Sequence, residues 1–272
     1  MFRPRHERVK GQSFNRMIPN ILTMLALCAG LTSFRFAFAD KWEPAVLCIV
    51  IAAVLDALDG RIARLLNQTS RFGAELDSLS DFFAFGVAPA MLIYLWTLHQ
   101  AGNVGWVIAL LYCACMALRL ARFNTALEGP TLPAWAKNYF TGVPAPAAAG
   151  LALFPMVLSF LTDALPVREP IVSAIVLVIV AGLMVSQLPT YSFKNVRVPH
   201  RFALFLMLIV AVIAAMAIVA PWLTLTLLLA LYIVLLPFGW RSFRRLKREA
   251  DLFHASAAHT NVSADVSVNV PK

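Results

Sequence analysis

Four aspartates, Asp56, Asp59, Asp77 and Asp81, fall within the stretch DALDGRIARLLNQTSRFGAELDSLSD, and long apolar runs lie on either side of it. Carboxylates near membrane depth are costly and tend to mark functional sites. A helix advances about 100° per residue, so Asp56 and Asp59 lie about 60° apart and Asp77 and Asp81 about 40° apart. Each pair therefore shares one face of its helix. Gly73 precedes Asp77 by one turn, and Gly60 and Ala63 follow Asp59, so two helices present carboxylates across a hollow with little side-chain bulk. Like charges this close repel one another unless a cation holds them. Clustered hard oxygen donors suit Mg²⁺ or Mn²⁺, and four carboxylates suit two ions. Neutralisation by Arg61, Arg64 and Arg71 is the plain alternative, and it weakens when four carboxylates share two faces.

The elements that position these residues are membrane spans. The chain is 60% hydrophobic and 14% charged, with a mean hydropathy of +0.76, which places it among polytopic membrane proteins. Apolar runs long enough to cross roughly 30 Å of hydrocarbon recur along it. Eight are expected, near residues 18–39, 42–58, 79–98, 103–123, 144–162, 170–188, 202–220 and 222–239. Only Ala220–Trp222 divides the last two, which leaves a seven-span count open. The polar start MFRPRHERVKGQSFNR and the spanning length of the first apolar run do not read as a cleavable signal peptide.

Twenty of the 23 Lys and Arg lie in the segment before the first span, in alternate connections and in the tail. Lys41, Arg168 and Arg35, at the outer end of span one, are the exceptions. The positive-inside rule then puts both termini and the aspartates on the cytoplasmic side of the inner membrane, and eight spans keep that partition consistent. A two-metal site there points to phosphoryl chemistry. Ion transport competes, although a transporter usually places its carboxylates nearer the midplane within repeated halves, and no internal repeat is visible. The net charge of +9 follows from topology and from attraction to anionic lipid headgroups. It is spread over five juxtamembrane segments, which argues against nucleic acid as a partner. Cys28, Cys48, Cys113 and Cys115 all fall inside spans without metal or redox spacing. The expected organisation is a cytoplasmic segment 1–17, a transmembrane catalytic domain 18–240 and a basic, polar, disordered cytoplasmic tail 241–272.

The pattern Asp56-x-x-Asp59-Gly60-x-x-Ala63-Arg64-x8-Gly73-x-x-x-Asp77-x-x-x-Asp81 resembles the signature of the CDP-alcohol phosphotransferases at every fixed position. Eight fixed residues recur by chance on the order of 10⁻¹⁰ per window, so the signal is specific. The resemblance extends along most of the chain. It implies an all-α bundle with a six-helix core, commonly dimeric, that joins an alcohol to a phosphatidyl or similar group taken from a CDP-linked donor and releases CMP. IPNILTMLALCAG, LDSLSDFFAFGVAPA, RLARFN, FTGVPAPAAAG and SQLPTYSFK, in that order, look like the bacterial membrane-integral phosphatidylserine synthases. GVPAP serves equally well as a helix start.

By resemblance, Asp56, Asp59 and Asp77 bind metal, with Asp81 near the ions. Asp81 is also the expected general base, because the last aspartate of the stripe is best placed to reach an acceptor hydroxyl. Gly60, Ala63 and Gly73 would let a cytidine nucleotide approach the backbone, although small residues also serve helix packing in membranes. Arg64 belongs to the signature and is expected at the nucleotide or its phosphates. Asn20 and Thr23 are expected either there or as caps of the first helix. Serine carries a carboxylate and an ammonium, so Arg119, Arg122 and Lys194, with Asn124 and Tyr191 or Ser192, are its expected binding residues. Each cation is equally explained by the positive-inside rule. The expected substrates are CDP-diacylglycerol and L-serine. Glycerol 3-phosphate or an inositol phosphate as acceptor, a divalent-cation transporter, and a non-catalytic scaffold are the alternatives.

Overall fold

The computed structural model describes residues 17–66, 70–127, 139–162, 166–186, 189–191 and 200–236. The helices are α1 (Ile18–Ala37), α2 (Trp42–Leu65), α3 (Arg71–Asp81), α4 (Ala88–Trp96), α5 (Gly102–Leu127), α6 (Ala145–Ser159), α7 (Pro170–Val185), α8 (His200–Val219) and α9 (Pro221–Leu236). A π-helical turn, Phe82–Val87, joins α3 to α4, so Arg71–Trp96 is one rod and the described chain contains eight rods. Three stretches, Ile18–Ala37, Arg71–Trp96 and Leu98–Thr125, are long and apolar enough to cross a membrane, and α6, α7 and α9 are shorter apolar helices. The protein is an all-α membrane protein. Its only described strands are β1 (Tyr139–Thr141) and β2 (Pro189–Tyr191), paired antiparallel with Phe140 opposite Thr190.

Two helix ends differ from the expected spans. α2 continues to Leu65 rather than stopping near 58, and the third rod begins at Arg71 rather than near 79. The apolar run ends where the charges begin, but no proline breaks α2, and Ser70 caps the next helix by accepting a 2.9 Å bond from Gly73 N–H. Both aspartate pairs therefore sit inside helices. At the other questioned junction, only Ala220 separates α8 from α9, and Pro221, which needs no N–H partner, opens α9. Pro144 likewise precedes α6 as its N-cap, so GVPAP is a helix start.

Contacts divide the chain into two units: α1 to α7 form one, and β1, β2, α8 and α9 belong to the other. In the first unit, α1 buries Thr23, Ala26, Gly30, Ser33 and Ala37, spaced three or four apart, as an amphipathic seam. A Cβ at Gly30 would stand 3.1 Å from Ala84 Cα, so the bare glycine lets α1 lie against the π turn. α7 repeats the pattern with Ser173, Leu177, Val180, Ala181 and Met184, while α6 is buried along most of its length. Thr97 and Ser173, both buried, share a 2.8 Å hydrogen bond. Outward-facing Leu25, Leu31, Leu47, Ile51, Ile175 and Ile179 are exposed, which suits lipid as the surrounding solvent.

Pro89 has no N–H to give to the carbonyl four residues back, that of Phe85, and Tyr112 of α5 supplies a donor. Its fully buried hydroxyl donates to Phe85 O at 3.1 Å, one turn after Asp81. Met116 packs on Gly86, where a Cβ would come within 2.9 Å of Met116 Cγ. The α5 face bearing Tyr112 and Met116 continues to Arg119, whose charge acts on Asp81.

Candidate active site

The carboxylate oxygens of Asp56, Asp59 and Asp77 lie within 4.8 Å of one another. Helical periodicity accounts for each pair sharing a face, and the packing of α2 against the third rod brings the two faces together. Asp59 is 3% exposed, whereas Asp56 and Asp77 are half-buried. Asp81 closes the group from the next turn, its carboxyl beside that of Asp56. Such a set of hard oxygen donors, taken out of water and crowded together, fits a divalent cation.

The carboxylates border a cavity of about 480 Å³, within the usual range of roughly 300–1,000 Å³ for small-molecule sites. Its walls include Asp59 and Asp77 together with Asn20, Thr23, Gly60, Ala63, Arg64 and Gly73. All six residues expected around a nucleotide thus line one space. The two glycines stand in different surroundings. Nothing lies within 4 Å of a Cβ at Gly60, so that wall is open. A Cβ at Gly73 would stand 2.9 Å from Asn20 Oδ1 and 3.0 Å from Ser70 Oγ, so Gly73 lets α1 come close. Neither Asn20 nor Thr23 caps α1: the N-cap is Met17, without a side-chain bond. Thr23 instead donates to Asp59 Oδ2 at 2.7 Å.

Sequence reasoning passed over Ser70, Ser78, Ser80 and Tyr112. Ser70 carried a findable signal, a serine directly before a helical pattern. Ser80 donates to Thr23 O at 3.2 Å, and nothing in the local sequence marks that contact between distant residues.

The expected acceptor residues are placed less uniformly. Arg119 is half-buried and acts electrostatically on Asp81. Arg122 donates to Val185 O at 2.9 Å, and Asn124 donates to Ser78 Oγ at 2.9 Å. These bonds tie the end of α5 to the C-terminus of α7 and to the middle of α3. Lys194 and Ser192 lie outside the described residues, and Tyr191 is the last residue of β2.

A family model for CDP-alcohol phosphatidyltransferase matches residues 16–246. The chain belongs to that family. It is similar to proteins named CDP-diacylglycerol–serine O-phosphatidyltransferase: 38% identical to that of Mycobacterium leprae over 90% of this chain and 80% of the relative. The Helicobacter pylori strain 26695 relative is 32% identical over 80% of this chain and 88% of its own length. The one from Bacillus subtilis is 37% identical over 65% and 92%. Among the described residues, the aspartate cradle combines donors suited to a cation with a cavity beside it. The two segments FTGVPAPAAAG and SQLPTYSFK also meet, since Phe140 and Thr141 of β1 open the first and β2 lies in the second.

Proposed function

We propose that the protein transfers the phosphatidyl group of CDP-diacylglycerol to the hydroxyl of L-serine, giving phosphatidylserine and CMP. The observation that carries this reading is the triad of Asp56, Asp59 and Asp77 beside a cavity lined by Asn20, Thr23, Gly60, Ala63, Arg64 and Gly73. The relatives, named as serine O-phosphatidyltransferases, support the choice of serine over another alcohol.

Asp56, Asp59 and Asp77 would hold Mg²⁺ or Mn²⁺, two ions in this reading, with Asp81 completing the set. Bound divalent ions supply charge neutralisation at the donor pyrophosphate and the departing CMP. The remaining roles belong to the chain. Gly60 and Ala63 leave room for the cytidine nucleotide, Asn20 faces it from α1, and Arg64 offers a cation to its phosphates. Asp81 takes the proton from the serine hydroxyl as that oxygen attacks the lipid-side phosphorus. The bond to CMP breaks as the new P–O bond forms, without a covalent enzyme intermediate. Arg119 and Arg122, with Asn124 and Lys194, form the acceptor side and offer a planar clamp for the serine carboxylate.

In this reading residues 18–240 are the catalytic domain of a homodimer in the inner membrane. Both termini, 1–17 and 241–272, and the active site face the cytoplasm, following the distribution of Lys and Arg. A cysteine at Asn67 is expected to label from the cytoplasmic side and one at Asn103 from the opposite side. Labelling of both from one side would overturn that orientation.

CMP release by the purified protein tests the activity. Release from CDP-diacylglycerol should require serine, stop in EDTA and return with Mg²⁺ or Mn²⁺. Release with glycerol 3-phosphate or an inositol phosphate but not serine would move the protein to another acceptor. No release with any alcohol, together with divalent-cation flux in proteoliposomes, would make it a transporter.

A further inference from the structure

Thr23 occupies an unusual place. It is 5% exposed on α1, yet it meets both helices that carry the aspartates. Its hydroxyl donates to Asp59 Oδ2 of α2 at 2.7 Å and lies 3.1 Å from Pro19 O. Its own carbonyl accepts a 3.2 Å bond from the hydroxyl of Ser80, which is 3% exposed and lies between Asp77 and Asp81 in the third rod. One residue of α1 thereby joins the two carboxylate-bearing helices.

A hydroxyl has one proton to give. Two acceptors stand near it, and the shorter contact is to the carboxylate, where the bond is charge-assisted and stronger. The proton therefore belongs chiefly to Asp59, with Pro19 O as the weaker branch, and is already committed before any ligand arrives. Engaging Oδ2 also fixes the orientation of this buried carboxylate. Groups that bond to a metal ligand from behind set its orientation, and their removal typically costs about 10–100-fold in metal affinity or activity.

We infer that Thr23 is a positioning residue of the cation site, acting through Asp59, rather than a donor to the nucleotide. The inference rests on the metal-binding reading of the aspartates. It departs from the expectation that Thr23 hydrogen-bonds the donor substrate, even though the residue borders the cavity.

The test is Mn²⁺ binding followed by electron paramagnetic resonance on the purified full-length protein without substrate, for the wild type, Thr23→Val and Thr23→Ser. Thr23→Val keeps the branched shape and removes the hydroxyl; it should weaken Mn²⁺ binding by about 10–100-fold. Thr23→Ser should bind near the wild-type level. With Mn²⁺ raised to saturation, Thr23→Val should keep the wild-type KM for CDP-diacylglycerol. Wild-type Mn²⁺ binding by Thr23→Val, coupled to a raised KM for the donor, would place Thr23 at the nucleotide and overturn the inference. A wild-type protein that binds no Mn²⁺ would overturn the metal reading and this inference together. Melting in EDTA reports whether Thr23→Val folds; if it does not, Thr23→Ala carries the same comparison.

Discussion

The corner where α1, α2 and the third rod meet and the C-terminal end of α5 both carry polar residues of the right types, but their bonds run differently. At the corner the bonds turn inward toward the carboxylates: Thr23 to Asp59 and Ser80 to Thr23 O, with the carboxyls of Asp56 and Asp81 side by side. At the end of α5 they reach out to other helices, Arg122 to Val185 O and Asn124 to Ser78 Oγ. The bonds of the corner close on the carboxylates, whereas those of the end of α5 fasten helices to one another. Residue type alone did not separate these situations, because Arg and Asn suit a serine clamp and a helix tether equally well.

The largest expected effect tests the corner. Asp56→Asn or Asp59→Asn should reduce CMP release to background while membrane insertion is retained, since a donor oxygen loses its charge but the helix is kept. Most of the activity surviving with added Mg²⁺ or Mn²⁺ would break the contrast, because the corner would then be no better a site than the end of α5.

Asp81→Asn comes next. Loss of a general base typically lowers kcat by about 10²–10⁴-fold. The metal-dependent binding of CDP-diacylglycerol should persist, because Asp56, Asp59 and Asp77 remain. If donor binding disappears as well, Asp81 is chiefly a fourth metal ligand and the base lies elsewhere.

The third comparison sharpens the reading of α5. Arg122→Ala removes a bond from a charged donor, a kind worth about 1.5–3 kcal/mol. If Arg122 binds serine, the KM for serine should rise while kcat holds, the mark of binding made equally in ground and transition states. If it is only a tether, melting temperature falls and the serine KM does not move. Arg119→Ala, measured alongside, shows which arginine reaches the acceptor.

The smallest effects come from the two cavity glycines. Gly60→Ala meets nothing within 4 Å, and alanine is favoured over glycine in a helix by about 1 kcal/mol. Its melting temperature should hold or rise, so any increase in the KM for CDP-diacylglycerol would show that the donor passes close by. Gly73→Ala gains the same propensity but pushes on Asn20 Oδ1 and Ser70 Oγ, and a lost helix cap costs about 1 kcal/mol. The two should nearly cancel in stability while the displaced Asn20 weakens donor binding. Equal behaviour of the two variants would mean that the bare surfaces at Gly60 and Gly73 do the same job.

Much of this protein is determined by the sequence alone. Composition and long apolar runs dictate helices in lipid, because a backbone without water must satisfy its own hydrogen bonds. The spacing of Asp56, Asp59, Asp77 and Asp81 puts each pair on one face, since a helix has a fixed angular repeat. The same pattern shows the family. Periodicity settles the angle about one axis, but not which residue of another helix stands opposite. The 4.8 Å convergence of Asp56, Asp59 and Asp77, the bond from Thr23 to Asp59, and the turn of Arg122 toward Val185 depend on how deeply the helices pack. That depth is set by Gly30 against Ala84, by Gly73 against Asn20, and by a π turn held by Tyr112, contacts between residues far apart in the chain that no local pattern encodes.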